Sequence, residues 1–237
     1  MFRRSRFLLS LVFVLFTYSS AIADTPVFKS NDGKWYGSIG TGVTMLNDID
    51  FSAAASGGGV TVTAGGSYTF DAGASIGGAV GYVVNDLVRT EIEVGYQNID
   101  YDKIKLSGNV TFGATTVAYT GEADVDGDID ALHVLTNVIL TPLGNKTIFG
   151  VSVTPLVSAG IGFIAMESTI KSIGTLAANS NVSNTDFLAS IMTGLEYASS
   201  QQVTWAIKYR HSWVDSGRFG AADAEIDSIG ANVNIAF

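Results

Sequence analysis

The sequence predicts an all-β protein, an eight-stranded antiparallel up-and-down transmembrane β-barrel, and three observations lead there. Apolar and polar residues alternate along eight segments, as in strands with one apolar and one polar face. The connections between these segments alternate between long and short, as in membrane barrels. The mean hydropathy is +0.32, although no apolar run approaches the roughly 20 residues of a membrane-spanning helix. A barrel that turns its apolar faces to lipid accounts for this hydropathy.

The N-terminus has the pattern of an export signal. A segment with three arginines, residues 3–6, precedes an apolar run over residues 7–16, and small residues follow at Ala21 and Ala23. The expected location is therefore a Gram-negative outer membrane. We expect a cleaved signal peptide, a short periplasmic leader and the barrel domain at residues 1–23, 24–34 and 35–237.

Charge and cysteine content exclude several kinds of function. The chain has 13 basic and 22 acidic residues, a formal net charge of −9, and loss of the arginines in the signal peptide would make it more acidic. This acidity excludes nucleic acid as a partner. The sequence has no cysteine, which excludes a disulfide scaffold and a thiolate metal site or nucleophile.

The strand bounds follow the change from alternating to turn-rich sequence. In the second strand, Tyr68 and Phe70 stand near one end and Tyr82 near the other, as in two interfacial girdles. The fifth strand contains Pro155, which normally argues against a central strand. The strands are predicted at residues 35–46, 67–84, 87–97, about 129–141, 148–166, 187–197, 203–213 and 228–237.

The lengths of the connections predict how the barrel is oriented. Long polar connections follow the first, third, fifth and seventh strands, and short turns follow the others. We expect the long connections outside the cell and the short ones in the periplasm. The first long connection, residues 47–66, has a Val-Thr-Val-Thr centre that indicates a hairpin extending the flanking strands.

Charged residues lie on the polar phase of the third, sixth and seventh strands. In an eight-stranded barrel the third and seventh strands face each other, and both ascend from short turns. We expect the two acids of strand three to meet the two bases of strand seven, with Arg89 lower, near Glu196. Because side chains just fill an interior of this size, the network predicts a closed lumen. This structural network consists of Arg89, Glu91, Glu93, Glu196, Lys208 and Arg210.

The histidines do not predict an enzyme. His133 falls alone on the lumen phase of strand four, where a polar residue is usually a hydrogen-bonded filler. His211 precedes Ser212, but adjacent strand residues point to opposite faces, so these two residues cannot form a catalytic dyad. The sequence therefore predicts no catalytic residue and no cofactor.

Four alternating acids, at positions 124 to 130, could suggest a calcium site. Asp124, Asp126 and Asp128 have the spacing of an EF-hand loop, but Ile129 stands where the loop needs glycine and Leu135 where it needs glutamate. We therefore predict no metal site, and favour a solvated strand extension above the membrane. Divalent-cation binding by these aspartates stays open at this point.

The last strand and three internal segments carry a family resemblance. The chain ends on Phe237 and resembles the closing strand of bacterial outer-membrane barrels, in which a terminal aromatic residue belongs to the assembly signal. The internal segments are RTEIEVGYQ, TPLVSAGIGF and GLEYA. With the overall pattern, they are similar to the eight-stranded opacity-type surface proteins, which are related in architecture to OmpA and OmpX.

The resemblance implies a function outside the cell rather than in the lumen. We expect a surface-exposed protein, structural or an adhesin or host-facing antigen, that acts through four external loops. A narrow porin-like channel is the alternative, and an outer-membrane enzyme is less favoured. The implied partners are outer-membrane lipid, the β-barrel assembly machinery at the C-terminal strand, and a host or extracellular ligand at the loops.

Overall fold

The computed structural model of the protein describes residues 35–143, 146–148, 151–215 and 224–237. The predicted signal peptide and periplasmic leader, residues 1–34, lie outside the described residues. Among the described residues, no helix is long and apolar enough to cross a membrane. The described residues form the strands β1 Trp35–Leu46, β2 Ile49–Gly57, β3 Val60–Phe70, β4 Gly73–Asn85, β5 Val88–Phe112, β6 Thr115–Leu140, β7 Lys146–Ile148, β8 Val151–Ile173, β9 Leu176–Ala198, β10 Val203–Asp215 and β11 Ala224–Ala236.

Eight of these strands form a closed antiparallel ring. Going round the ring, the order is β1, β4, β5, β6, β8, β9, β10 and β11, and every neighbouring pair is antiparallel. The ring closes where β11 pairs with β1, from Tyr36 opposite Ala236 to Leu46 opposite Ile226. The predicted eight-stranded up-and-down barrel is therefore confirmed. We call the end with the long hairpins the outer end and the opposite end the periplasmic end.

The two faces of the ring differ as the alternation predicts. Large apolar side chains point outward, and Ile39, Ile92 and Ile161 are each 61% exposed. Polar side chains such as Asn137 and Glu196 point inward and are 1% exposed. An outer surface of this kind is stable only against lipid, because in water so many exposed apolar side chains would aggregate.

Aromatic residues mark the two edges of the apolar band. At the periplasmic end, the rings of Trp35 and Tyr82 lie 5.1 Å apart, and near the outer end those of Phe163 and Phe187 lie 6.2 Å apart. On β10, Trp205 lies near the periplasmic end and Trp213 near the outer end, eight residues further along the strand. At a tilt of about 40°, that separation spans about 20 Å of membrane thickness.

Pro155 is tolerated because of its position in the ring. The ladder between β6 and β8 ends at Val157, so at position 155 the strand has a ring neighbour on one side only, Leu195 in β9. A proline without a backbone N–H is compatible with such a half-paired position.

The second predicted strand, residues 67–84, is wrong in its first part. β3 ends at Phe70 and β4 begins at Gly73, so that Tyr68 and Phe70 belong to a different pair of strands from Tyr82. Their rings lie 5.5 and 5.0 Å from the ring of Tyr101, and do not form a lipid-facing girdle. The two-residue break preserves the period-two alternation, which is why the pattern could not show it.

Three of the predicted long loops are largely β-strand. The hairpin expected in the first is present, with β2 and β3 joined by Gly58 and Gly59, whose φ values of 59° and 79° favour glycine. β5 and β6 continue beyond the barrel and pair as far as Phe112 opposite Thr115, and β8 and β9 extend likewise. Serine, threonine and glycine suggested loops, but Thr and Val there pair in ladders that suit β-branched residues.

A closed ring predicts a shift in electrophoretic mobility on heating. All barrel strands are hydrogen-bonded on both sides, so the folded protein should resist detergent and unfold only when boiled. Unheated and boiled samples of purified protein should therefore run at different apparent masses on the same gel. Identical mobility would contradict the closed ring.

Candidate functional site in the barrel lumen

An ion pair in the lumen joins strands that are not neighbours in the ring. Arg210 on β10 donates from Nη1 to Oε1 of Glu93 on β5 at 2.6 Å, and its Nη2 donates to Oε2. The two side chains are 14% and 17% exposed. A bidentate contact between an arginine and a carboxylate is among the strongest charge-assisted hydrogen bonds. The pair ties together opposite walls of the barrel.

Glu93 has two further partners, both from β6. Asn137 Nδ2 donates to Oε2 at 2.9 Å, and His133 Nε2 lies 3.3 Å from Oε1. Glycines make room for them, because a Cβ at Gly95 would lie 2.5 Å from the His133 ring and one at Gly160 would lie 2.1 Å from Asn137 Oδ1. His133 is thus a hydrogen-bonded member of this cluster.

A second ion pair lies closer to the periplasmic end. Arg89 Nη2 on β5 is 2.9 Å from Glu196 Oε2 on β9, with side chains 5% and 1% exposed. Asn234 Nδ2 donates to the other oxygen of Glu196 at 3.3 Å. Two separate acid–base clusters thus lie one above the other in the lumen.

Tyr36 belongs to the lower cluster and was missed from the sequence. It is fully buried, and its hydroxyl donates to Glu91 Oε1 at 2.6 Å. The Arg89 guanidinium lies 5.7 Å from the centre of its ring, within cation–π range. Tyr36 stands on the polar phase of β1 opposite Gly81, where a Cβ would lie 2.2 Å from the tyrosine ring. A large residue on the polar phase of one strand, with glycines on the polar phase of another, was the feature of the sequence that could have indicated the inward position of Tyr36.

The structure does not bring Lys208 to either acid of strand three. Lys208 is buried, but among the described residues it makes no hydrogen bond or ion pair. The expectation that Lys208 pairs with Glu91 or Glu93 is wrong, because Tyr36 occupies Glu91 and Arg210 occupies Glu93. Lys208 lines a lumen cavity of about 90 Å³, which is large enough for water.

An apolar cluster at the outer end of the lumen was also missed. Inward-facing side chains from most of the ring strands meet there, and Leu135 and Ile164 are fully buried. The alternation of apolar and polar residues predicted that the side chains facing the lumen are polar. Near the outer ends of the strands, however, apolar residues occur on both phases, and this pattern indicated an apolar cluster. The buried members are Leu46, Ile99, Ile129, Ala131, Leu135, Ile164, Met166, Leu188, Val214, Ala224 and Ile226.

The acids at positions 124 to 130 lie within β6, as a strand extension would have them. Asp128 is 3.4 Å from Lys171 Nζ, and Asp130 accepts hydrogen bonds from the Tyr96 hydroxyl and from Asn98 Nδ2. In the parts of the chain that the structure describes, no three His, Asp or Glu residues are grouped to hold a metal ion.

The other histidine lies on the outer face. His211 Nδ1 is 2.8 Å from Asp227 Oδ1, and the imidazole stacks edge-on against Trp213 at 4.4 Å between centroids. Ser212 points inward and is buried. The two residues therefore face opposite sides of the wall and cannot act together.

The closed ring, the lipid-facing apolar band and the polar lumen define an outer-membrane β-barrel. The sequence matches the family model for the outer membrane protein beta-barrel domain over residues 8–237, and the chain belongs to this family. A comparison with curated proteins gave no match.

Solved structures of similar fold are distant in sequence. Neisserial surface protein A is 14% identical, with 86% of this chain and 97% of that chain covered and a TM-score of 0.47. OprG from Pseudomonas aeruginosa has the same identity and coverages and a TM-score of 0.44. Ail, the attachment invasion locus protein of Yersinia pestis, is 13% identical over 86% of this chain and 99% of that chain, with a TM-score of 0.36.

The geometry of the Glu93–Arg210 ion pair predicts strong coupling between the two residues in a double-mutant cycle. Glu93→Ala or Arg210→Ala alone should lower the free energy of unfolding by about 3 to 5 kcal/mol, because each leaves a charge in the lumen without its partner. The double variant should lose less than the sum of the two. The measurement is urea unfolding of the refolded barrel.

Lys208→Met is the matched control for this cycle. Lys208 lies on the same strand as Arg210, and its charge has no ion-pair partner among the described residues. The substitution should therefore lower the free energy of unfolding by less than about 1 kcal/mol. Additive effects of Glu93→Ala and Arg210→Ala would show that the pair does not form.

Proposed function

We propose that the protein is a surface-exposed outer-membrane protein, structural or acting as an adhesin or host-facing antigen, whose interactions take place at its outer hairpins. The observation that carries this proposal is strand length. β5 and β6 have 25 and 26 residues, whereas a strand needs only about 9 to 11 residues to cross the hydrocarbon. More than half of each strand therefore extends beyond the apolar band.

The side chains that occupy the lumen support this function over that of a channel. The Glu93–Arg210 pair ties opposite walls together, the Arg89–Glu196 pair joins two further strands below it, and the apolar cluster lies towards the outer end. The alternative, a narrow porin-like channel, is favoured by the cavity beside Lys208. That cavity already reaches Leu135 and Leu188 of the apolar cluster. For a channel it would have to continue past Ile164, which is fully buried.

The proposed function is not enzymatic. Asp227 contacts His211 at Nδ1, as the aspartate of a catalytic triad contacts its histidine. Among the described residues, neither histidine is hydrogen-bonded to a serine, threonine or tyrosine hydroxyl that could serve as nucleophile. Such a contact is the usual way in which a histidine base activates a hydroxyl nucleophile.

The proposed partners follow from the location. The signal peptide would direct export, outer-membrane lipid would cover the apolar band, and the assembly machinery would recognise the last strand. The backbone N–H of Phe237 donates to the Trp35 carbonyl at 3.0 Å, and the Phe237 side chain is 73% exposed. The aromatic ring is thus held at the closing seam and stays accessible. An extracellular ligand would bind the outer hairpins.

Cysteine labelling on intact cells tests this proposal. The sequence has no cysteine, so single cysteines can be introduced at Ala114, in the turn between β5 and β6, and at Thr175, in the turn between β8 and β9. Both should react with a membrane-impermeant maleimide on intact cells. Asp86→Cys, in the turn between β4 and β5, should react only after the outer membrane is permeabilised. Labelling of Asp86→Cys but not Ala114→Cys on intact cells would refute the proposal.

A further inference from the structure

The part of the sheet that stands outside the membrane has two different faces. Strands β2, β3, β5 and the upper half of β6 pair side by side, and residues paired across antiparallel strands project to the same face. On one face, Ala53, Ala64 and Gly108 form a row that ends at Tyr119. On the other face, nine of twelve positions carry hydroxyl or amide side chains.

The hydroxyl-bearing face consists of three cross-strand rows. The row nearest the hairpin tips is Ser56, Thr61, Thr111 and Thr116. The middle row contributes Thr63 and Asn109, with Ala54 and Ala118 at its ends, and the lowest row contributes Ser52, Ser107 and Thr120 around Gly65. We call these twelve positions the hydroxyl face.

We propose that the hydroxyl face binds neutral polysaccharide. Strands lie about 4.8 Å apart and alternate residues about 6.8 Å apart, so the three rows cover an area of about 14 by 14 Å. Hydroxyl and amide groups that both donate and accept hydrogen bonds match a polyhydroxylated chain laid across them. An area of this size accommodates several sugar rings.

The hydroxyl face is arranged in advance of binding. Threonine has few χ1 rotamers in a strand, and hydrogen bonds within the top row hold its hydroxyls in place. Ser56 Oγ donates to Thr61 Oγ1 at 3.2 Å, and the hydroxyls of Thr111 and Thr116 are 3.0 Å apart. Fixed side chains lose little conformational entropy when a ligand binds.

Charge selects a neutral ligand over an anionic one. None of the three rows contains a charged residue, and the row below them carries Asp50, Lys105 and Glu122. Further along β6 towards the membrane are Asp124, Asp126 and Asp128. These acids disfavour polyanions such as sulfated glycans, whereas a neutral polymer is not repelled.

Binding by a single copy should be weak. Tyr119 lies on the opposite face, over Gly108, so the hydroxyl face offers no aromatic ring for a sugar to stack on. Each hydrogen bond replaces one to water and contributes little on its own. Many copies on one membrane, facing a repeating polymer, would bind by avidity.

The test uses proteoliposomes that carry many copies of the folded protein, with cellulose and cross-linked dextran as neutral polymers and heparin beads as the anionic control. Proteoliposomes should co-sediment with at least one neutral polymer and not with heparin. Replacing Thr61, Thr63, Thr111 and Thr116 by valine should reduce that binding at least fivefold, because valine keeps the shape and strand preference but lacks the hydroxyl. The matched variant with serine at the same four positions should retain it.

No binding to either neutral polymer, stronger binding to heparin, or equal binding by the valine variant would overturn the inference. Folding of each variant is checked by its change in gel mobility on heating. This inference rests on the proposed surface location, and the two can fail separately. Labelling of Ala114→Cys on intact cells without polymer binding would refute the polysaccharide site alone, whereas absence of that labelling would refute the proposed function.

Discussion

The structure depends on one constraint, that backbone hydrogen bonds must be satisfied within a membrane that offers no water. Each unsatisfied group would cost several kcal/mol, so the seam between β1 and β11 must close the sheet. The register of that seam fixes how the strands are staggered and which inward residues share a level. Glu93 and Arg210, on strands that are not neighbours, meet only because the ring is closed.

The narrow lumen explains why large polar residues are matched with glycine. An eight-stranded ring leaves room for little more than its own side chains, so Tyr36, His133 and Asn137 each face a glycine whose Cβ would overlap them. Buried charges cost free energy unless they are paired, and four of the six predicted network residues form ion pairs, while Glu91 is satisfied by Tyr36. Lys208 has no such contact among the described residues, and the cavity beside it is where water could solvate its charge.

Much of the barrel could be predicted from the sequence because period-two alternation reports directly which side of a wall a residue faces. The strand order then placed Arg89 near Glu196 and Glu93 near Arg210. Alternation carries no information on pairing partners, so the break after Phe70, which preserves the phase, was not predicted. It also cannot distinguish a polar loop from a polar strand, as β5 and β6 illustrate. The apolar cluster was missed because an inward apolar residue was not expected in a polar lumen.

The most direct test of the closed lumen is single-channel recording from the purified protein in a planar bilayer. The account predicts no steady conductance, because two acid–base clusters and an apolar cluster occupy successive levels of the lumen. Large ohmic current steps from the folded barrel would contradict it, and would favour a channel over a protein that acts through its outer hairpins.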